Sequence, residues 1–243
     1  MNSPQFTLDI LTSPEPSLDN FIFPASDNSL QVSIFEVFSQ IQGMYLAQQT
    51  TRFDFNLIYV WGPPGSGKSH LLIAMQKFYE KLQLPHLYLS TQHQNWQFAD
   101  IQTGPDCLAY LIDDVDNLSI SEENQLFKLL IDQKNSPEKL IFVSGSKSSH
   151  HLNMRDDISS RLASGLNFEL SFLTDDEKIV ALEELIKARG LNISSDIPHW
   201  LLNHFYRDLP SLISIIEAVD HYSLQTKRAI TLPLLKELLH LTV

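Results

Sequence analysis

Leu57-Ile58-Tyr59-Val60-Trp61, followed by Gly62-Pro63-Pro64-Gly65-Ser66-Gly67-Lys68-Ser69, is the stretch that decides the fold. Five apolar residues in a row read as a buried strand. The glycine-rich run after them fits the P-loop pattern of glycine, four residues, then Gly-Lys-Ser. Beyond it, Leu71, Leu72, Met75, Phe78 and Leu82 recur at helical spacing. Strand, glycine turn and helix in that order make a phosphate cradle. Gly62, Gly65 and Gly67 let successive backbone N–H groups face an anion, and the helix adds the positive end of its dipole. Lys68 is placed to reach the β- and γ-phosphates and the Ser69 hydroxyl to ligate Mg²⁺. Pro63, Ser66 and His70 complete the candidate nucleotide lining. The expected cofactors are ADP or ATP with Mg²⁺.

Working outward, residues 33–48 carry Ile34, Val37, Phe38, Ile41 and Leu46 at near-helical spacing. Downstream, residues 86–90 read as a strand, and so does the run Cys107-Leu108-Ala109-Tyr110-Leu111-Ile112, which ends in Asp113-Asp114. A polar helix is predicted over about 121–134 and a strand over 140–144. Alternating short apolar strands and helices predict an α/β domain with a parallel sheet covered on both faces. After Phe172 the pattern changes. Thr174 and Glu177 have the spacing of a capping box, and Ile179, Leu182, Leu185 and Ile186 form one apolar stripe. Further helices are expected at about 195–206, 210–225 and 233–241, with no strand run between them. Three segments result: an arm over 1–20, a sheet domain over 21–173 and a small all-helical domain over 174–243.

A carboxylate at the carboxyl end of a parallel strand projects into the crevice where ligands of such sheets bind. Asp113 is therefore expected to hold Mg²⁺ through water, as a Walker B acid, and Asp114 to orient or activate an attacking water. Asp116 continues the acidic run and reads as a loop or cap residue. Ser144 ends the following strand, where it serves either as a polar sensor of the γ-phosphate or as an ordinary turn residue. The histidines His150, His151, His199 and His204 lack the cysteine or acidic partners of a metal site and read as solvated. Trp61, Trp96 and Trp200 read as packing residues.

Of the 243 residues, 43% are hydrophobic and 19% charged, a globular composition large enough to bury a core without disulfide or metal. One cysteine, Cys107, makes no internal disulfide and points to a reducing compartment. No stretch has the roughly 18–20 apolar residues of a bilayer span and no leader pattern opens the chain, so a cytoplasmic protein is expected. The net charge of −12 disfavours direct attraction to nucleic-acid phosphates, so any role on DNA is expected to pass through a protein partner or a local basic patch. The arm holds three prolines and too few apolar residues for a periodic element, which predicts mobility. Within it, Phe6, Leu8 and Ile10 alternate with polar residues after Gln5, a pattern that suits a short edge strand as well as an extended docking peptide.

The P-loop, the Asp-Asp strand end, the polar sensor position and the helical lid resemble the AAA+ ATPases, and within them the DnaA clade. More narrowly, the chain is similar to the Hda-type, DnaA-homologous regulatory inactivators. The similarity runs through Leu18-Asp19-Asn20-Phe21, Tyr59-Val60-Trp61-Gly62, Ser69-His70-Leu71-Leu72, Val143-Ser144-Gly145-Ser146, Ser159-Ser160-Arg161-Leu162 and Leu173-Thr174-Asp175-Asp176-Glu177-Lys178. The resemblance implies that Gln5, Phe6, Leu8 and Ile10 dock on the DNA polymerase sliding clamp, which would associate the protein with the nucleoid. It also implies DnaA as partner, no DNA-reading helix-turn-helix after the lid, and a homodimer or higher oligomer as a further possibility. By its own context Arg161 is a surface arginine of a helix or loop. The resemblance makes it an arginine finger that acts in trans on the ATP of DnaA. One departure stands out: the family's sensor II arginine position is Pro210, which weighs against fast intrinsic hydrolysis, and Arg207 three residues earlier reads equally as a substitute or as a surface charge. The implied function is inactivation of the initiator by a nucleotide-bound adaptor. The alternatives are an autonomous ATPase, such as a helicase loader or transposition helper, and a clamp-binding scaffold.

Overall fold

The computed structural model describes residues 16–18, 21–24, 28–47, 52–91, 107–205 and 208–238. Residues 5–10, Trp96 and Arg207, all singled out above, lie outside the described residues. The chain divides into two compact units, Pro16–Phe172 and a helical unit that begins at Leu173.

The first unit opens with α1 (Asn28–Ala47), then β1 (Leu57–Trp61), α2 (Lys68–Lys81), β2 (His86–Ser90) and β3 (Ala109–Asp113). It continues with α3 (Ile120–Asp132), β4 (Leu140–Gly145), α4 (Asp156–Ala163) and β5 (Leu166–Glu169). The five strands form one sheet in the order β2-β3-β4-β1-β5, and every neighbouring pair is parallel. Alternation of side chains across the pleat sends each strand into two cores. Ile58, Val60, Ala109, Leu111, Leu140 and Phe142 pack on α1 and α2. Leu57, Tyr59, Tyr110, Ile112, Ile141 and Val143 pack on α3 and α4. Burial on both faces is why these strands read as unbroken apolar runs.

Several expectations shift. α1 starts at Asn28 rather than at 33, because Leu30 joins Ile34, Val37, Phe38 and Ile41 on the buried face. Leu46, counted in that stripe, is 80% exposed. α3 begins one residue early, closed by a capping box between Ser119 and Glu122. Two elements had no counterpart in the sequence reading. α4 buries only Ile158 and Leu162, and β5 is an edge strand in which Phe168 alone is buried. Neither carries enough apolar residues to reveal a period.

The second unit consists of α5 (Asp175–Ala188), α6 (Asp196–His204), α7 (Leu209–Thr226) and α8 (Leu232–Leu238). The Thr174–Glu177 capping box is present in both directions, with the Thr174 N–H donating to Glu177 Oε2 at 2.7 Å. Leu182, Leu201, Leu212, Ile216 and Leu235 centre its core. Asp208 caps α7 by accepting from the Ser211 N–H at 2.9 Å, and Pro210 occupies the first turn, where a missing N–H costs nothing. Trp200 is a packing residue here, stacked on His204 at 4.4 Å with Lys236 over its ring.

Candidate functional site

The phosphate loop connects the centre of the sheet to the start of α2. β1 ends at Trp61, and the Gly62 N–H donates to the Gly145 carbonyl at 3.2 Å, so the loop leaves the sheet beside the end of β4. Gly62 is required for close approach: a Cβ there would lie 2.1 Å from the Leu170 carbonyl oxygen. Gly62→Ala is expected to cost about 1–3 kcal/mol of unfolding free energy, as overpacking does, measured by urea denaturation. A loss within error would show that Leu170 yields freely.

Gly65 and Gly67 hold φ of +83° and +99°, which turn the backbone into the cradle and which side-chain-bearing residues rarely adopt. Gly67 is the N-cap of α2 and supplies no side-chain cap, and the first turn holds no acidic residue. The free N–H groups of that turn therefore meet no competing anion. Ser66 Oγ is buried without a hydrogen-bond partner. Lys68 Nζ donates to the Gly62 and Pro63 carbonyls at 2.7 and 2.9 Å. Burial pushes its ammonium below the usual lysine range, against the pull of Asp113, Asp116 and Asp114. Three acids at the end of β3 thus act on the P-loop lysine. Ser69 is exposed in the first turn of α2.

His70 is half-buried. Its ring lies 5.6 Å from that of Phe21, and it hydrogen-bonds the Ser17 backbone. Burial lowers its pKa from the ordinary histidine value, partly offset by the Ser17 bond. Phe21 also stands 3.4 Å from where a Cβ on Gly67 would be, so the segment that opens the unit packs directly on the phosphate loop.

Asp113 is only 3% exposed, and both carboxylate oxygens accept hydrogen bonds. Ser144 Oγ donates to Oδ1 at 2.5 Å and Tyr88 OH donates to Oδ2 at 3.0 Å. Ser144 also accepts the Asp114 N–H at 3.0 Å. Its one proton is committed to Asp113 and the residue is fully buried, so in this arrangement it orients the acid. Asp114 adopts φ +60°, a conformation uncommon for aspartate, which turns the chain sharply after the strand. Asp116, read as a loop residue, clips two loops together: it accepts from the Ser146 N–H and Oγ, both at 2.6 Å. Tyr59 OH donates to the Lys147 carbonyl at 2.6 Å and pins the same loop from beneath. The sequence reading missed these supports because the partners are 25 to 88 residues apart.

Arg161 lies in the last turn of α4, with its guanidinium 5.3 Å above the Phe127 ring of α3. Arg155 stacks on the same ring at 4.8 Å and pairs with Asp157. Arg161 forms no ion pair among the described residues.

The residues present fit a nucleotide and a divalent cation. The unpartnered Ser66 hydroxyl, the two positive-φ glycines and the uncapped helix start suit the phosphates. The exposed Ser69 hydroxyl and the Asp113 oxygens, each with a lone pair left, suit Mg²⁺ and its water.

Comparison with known proteins bears on the family and the fold. The family model described as the bacterial DnaA ATPase domain matches residues 19–169, and the one described as Hda, lid domain, matches 175–239. An uncharacterized protein of Haemophilus influenzae is 31% identical over 187 residues, spanning 75% of this chain and 81% of its own length. Among solved structures, domain III of the Thermotoga maritima replication initiation protein DnaA superposes with a TM-score of 0.64 at 17% identity, covering 93% of this chain and 96% of that one. AMPPCP-bound DnaA from Aquifex aeolicus gives a TM-score of 0.63 at 21% identity, covering 85% of this chain and 65% of that one. At these identities the superpositions speak for the fold alone, an AAA+ sandwich with a helical lid. The family models, which between them take in nearly the whole chain, carry the assignment: the chain belongs to the bacterial DnaA ATPase family of AAA+ proteins, with a lid of the Hda type.

Proposed function

We propose that the chain is a regulatory adaptor that inactivates the replication initiator DnaA. It binds ADP, or ATP, with Mg²⁺ at the P-loop, docks on the sliding clamp through Gln5, Phe6, Leu8 and Ile10, and stimulates hydrolysis of the ATP carried by DnaA. The observation that carries this reading is the pairing of a DnaA-type ATPase unit with an Hda-type lid in one chain. The neighbour of known structure bound to AMPPCP supports a nucleotide at the P-loop.

In this reading Gly62, Pro63, Gly65, Ser66, Gly67 and Lys68 hold the diphosphate, and Ser69 and Asp113 hold the cation. Mg²⁺ supplies neutralisation of the phosphate charge. Asp114 aligns water, and Arg161 presents its guanidinium to the neighbouring protomer's nucleotide. Tethering to the clamp raises the effective concentration of adaptor near DnaA on DNA, so a weak contact suffices. A cytoplasmic, nucleoid-associated protein is the setting this requires. Self-association into a homodimer or larger assembly is compatible with a finger that works in trans.

The test is hydrolysis of DnaA-bound ATP with the full chain and DNA-loaded clamp. Gln5→Ala is expected to abolish clamp pull-down and most of the stimulation, with ADP affinity unchanged by calorimetry. Retained clamp binding would refute the tether. The intact set Lys68, Asp113 and Asp114 favours a second reading, an autonomous ATPase. Pro210 in the first turn of α7 offers no side chain to a phosphate, which weighs against it. Brisk ATP turnover by the purified chain, with no effect on DnaA, would establish that second reading instead.

A further inference from the structure

Asp113 is gripped from both neighbouring strands. β3 lies between β2 and β4, and Ser90 of β2 is in register with Asp113. Tyr88, two residues before Ser90, shares its face of the sheet. The Tyr88 hydroxyl donates to Asp113 Oδ2 at 3.0 Å and also hydrogen-bonds the Ser90 side chain. From the other side Ser144 donates to Oδ1 at 2.5 Å. Ser90, Asp113 and Ser144 are all almost fully buried. The two hydroxyls therefore supply the hydrogen bonds that water would otherwise give to this carboxylate. With a donor on each oxygen, the carboxylate cannot rotate about its Cβ–Cγ bond without breaking one of them. Each oxygen keeps one lone pair for a further donor.

We propose that Tyr88 is a positioning residue for Asp113, fixing the plane in which the acid meets the water shell of Mg²⁺ and so setting how strongly the cation tightens nucleotide binding. This rests on the nucleotide site proposed above. Tyr88 acts here through the Asp113 carboxylate, so its effect is expected in the cation-dependent part of the affinity. Groups that orient a metal's ligands commonly cost about 10–100-fold in metal affinity when removed, and Tyr88→Phe deletes only the donor while keeping the ring.

The experiment measures ADP affinity of the full chain by calorimetry, once in EDTA and once with excess Mg²⁺, for the native protein, Tyr88→Phe and Asp113→Asn. Tyr88→Phe is expected to match the native affinity in EDTA and to lose about 10-fold of the tightening that Mg²⁺ brings. Asp113→Asn is expected to lose more of it. A native chain that binds no ADP in either medium overturns the nucleotide site itself. A native chain that binds, with Tyr88→Phe keeping the full Mg²⁺ gain, overturns the role of Tyr88 alone. Should Tyr88→Phe fail to fold, Ser90→Ala removes the hydroxyl behind the phenol: a reduced Mg²⁺ gain supports the clamp on Asp113, and an unchanged gain overturns it.

Discussion

Arg161→Ala is expected to cut the stimulation of DnaA-bound ATP hydrolysis by about 10³-fold or more, the scale on which arginine fingers act in other phosphoryl-transfer systems. A guanidinium is charged at every accessible pH and offers a planar fork of donors, so it neutralises charge spreading over the equatorial oxygens of the transferring group. The guanidinium lies over the half-buried Phe127 ring, and a cation–π contact of about 1 kcal/mol is weak enough to be exchanged for a phosphate. Arg161→Lys keeps the charge but not the fork and should recover little. The measurement is release of phosphate from ATP preloaded on DnaA, with clamp on DNA present and clamp binding verified separately. Normal stimulation by Arg161→Ala would leave the chain as a clamp-bound scaffold and remove the finger.

Lys68→Ala is expected to weaken ADP binding by about 10–100-fold, the worth of a charge-assisted hydrogen bond at a site sheltered from water. Its pH dependence gives a sharper signature. Burial holds the Lys68 ammonium below its ordinary value of about 10.4, so part of its charge is lost before that pH is reached. A bound diphosphate favours the charged form, which means binding takes up a proton on the alkaline side. Affinity therefore falls as pH rises through the lowered value of the free protein, until the bound form too loses its proton. Calorimetry in buffers of different ionisation enthalpy reads that proton directly. Lys68→Ala should lack both the uptake and the slope; an identical slope in the variant would assign it to another group.

Legibility from sequence followed the distance over which each signal acts. The strand, loop and helix around Gly62–Ser69 and the Thr174–Glu177 cap depend on residues within one turn of each other, and they lie where the spacing placed them. α4 and β5 escaped notice because each buries only one or two side chains, too few for a period. Leu46 misled for the opposite reason: its spacing matched the stripe, but the helix end that carries it extends past the core and leaves it exposed.

The chain's own order of residues determined that it holds a phosphate cradle on a parallel α/β sheet followed by a helical lid, since glycine placement, apolar runs and caps act through local backbone preference. Tertiary structure alone decided what surrounds Asp113. β3 is flanked by β2 and β4 because of the strand order, and only that order brings Tyr88 and Ser144 onto one carboxylate, Asp116 onto Ser146 and Phe127 under Arg161. No local rule links residues so far apart in sequence; burial of both sheet faces does, by forcing polar groups at the strand ends to find their partners in one another.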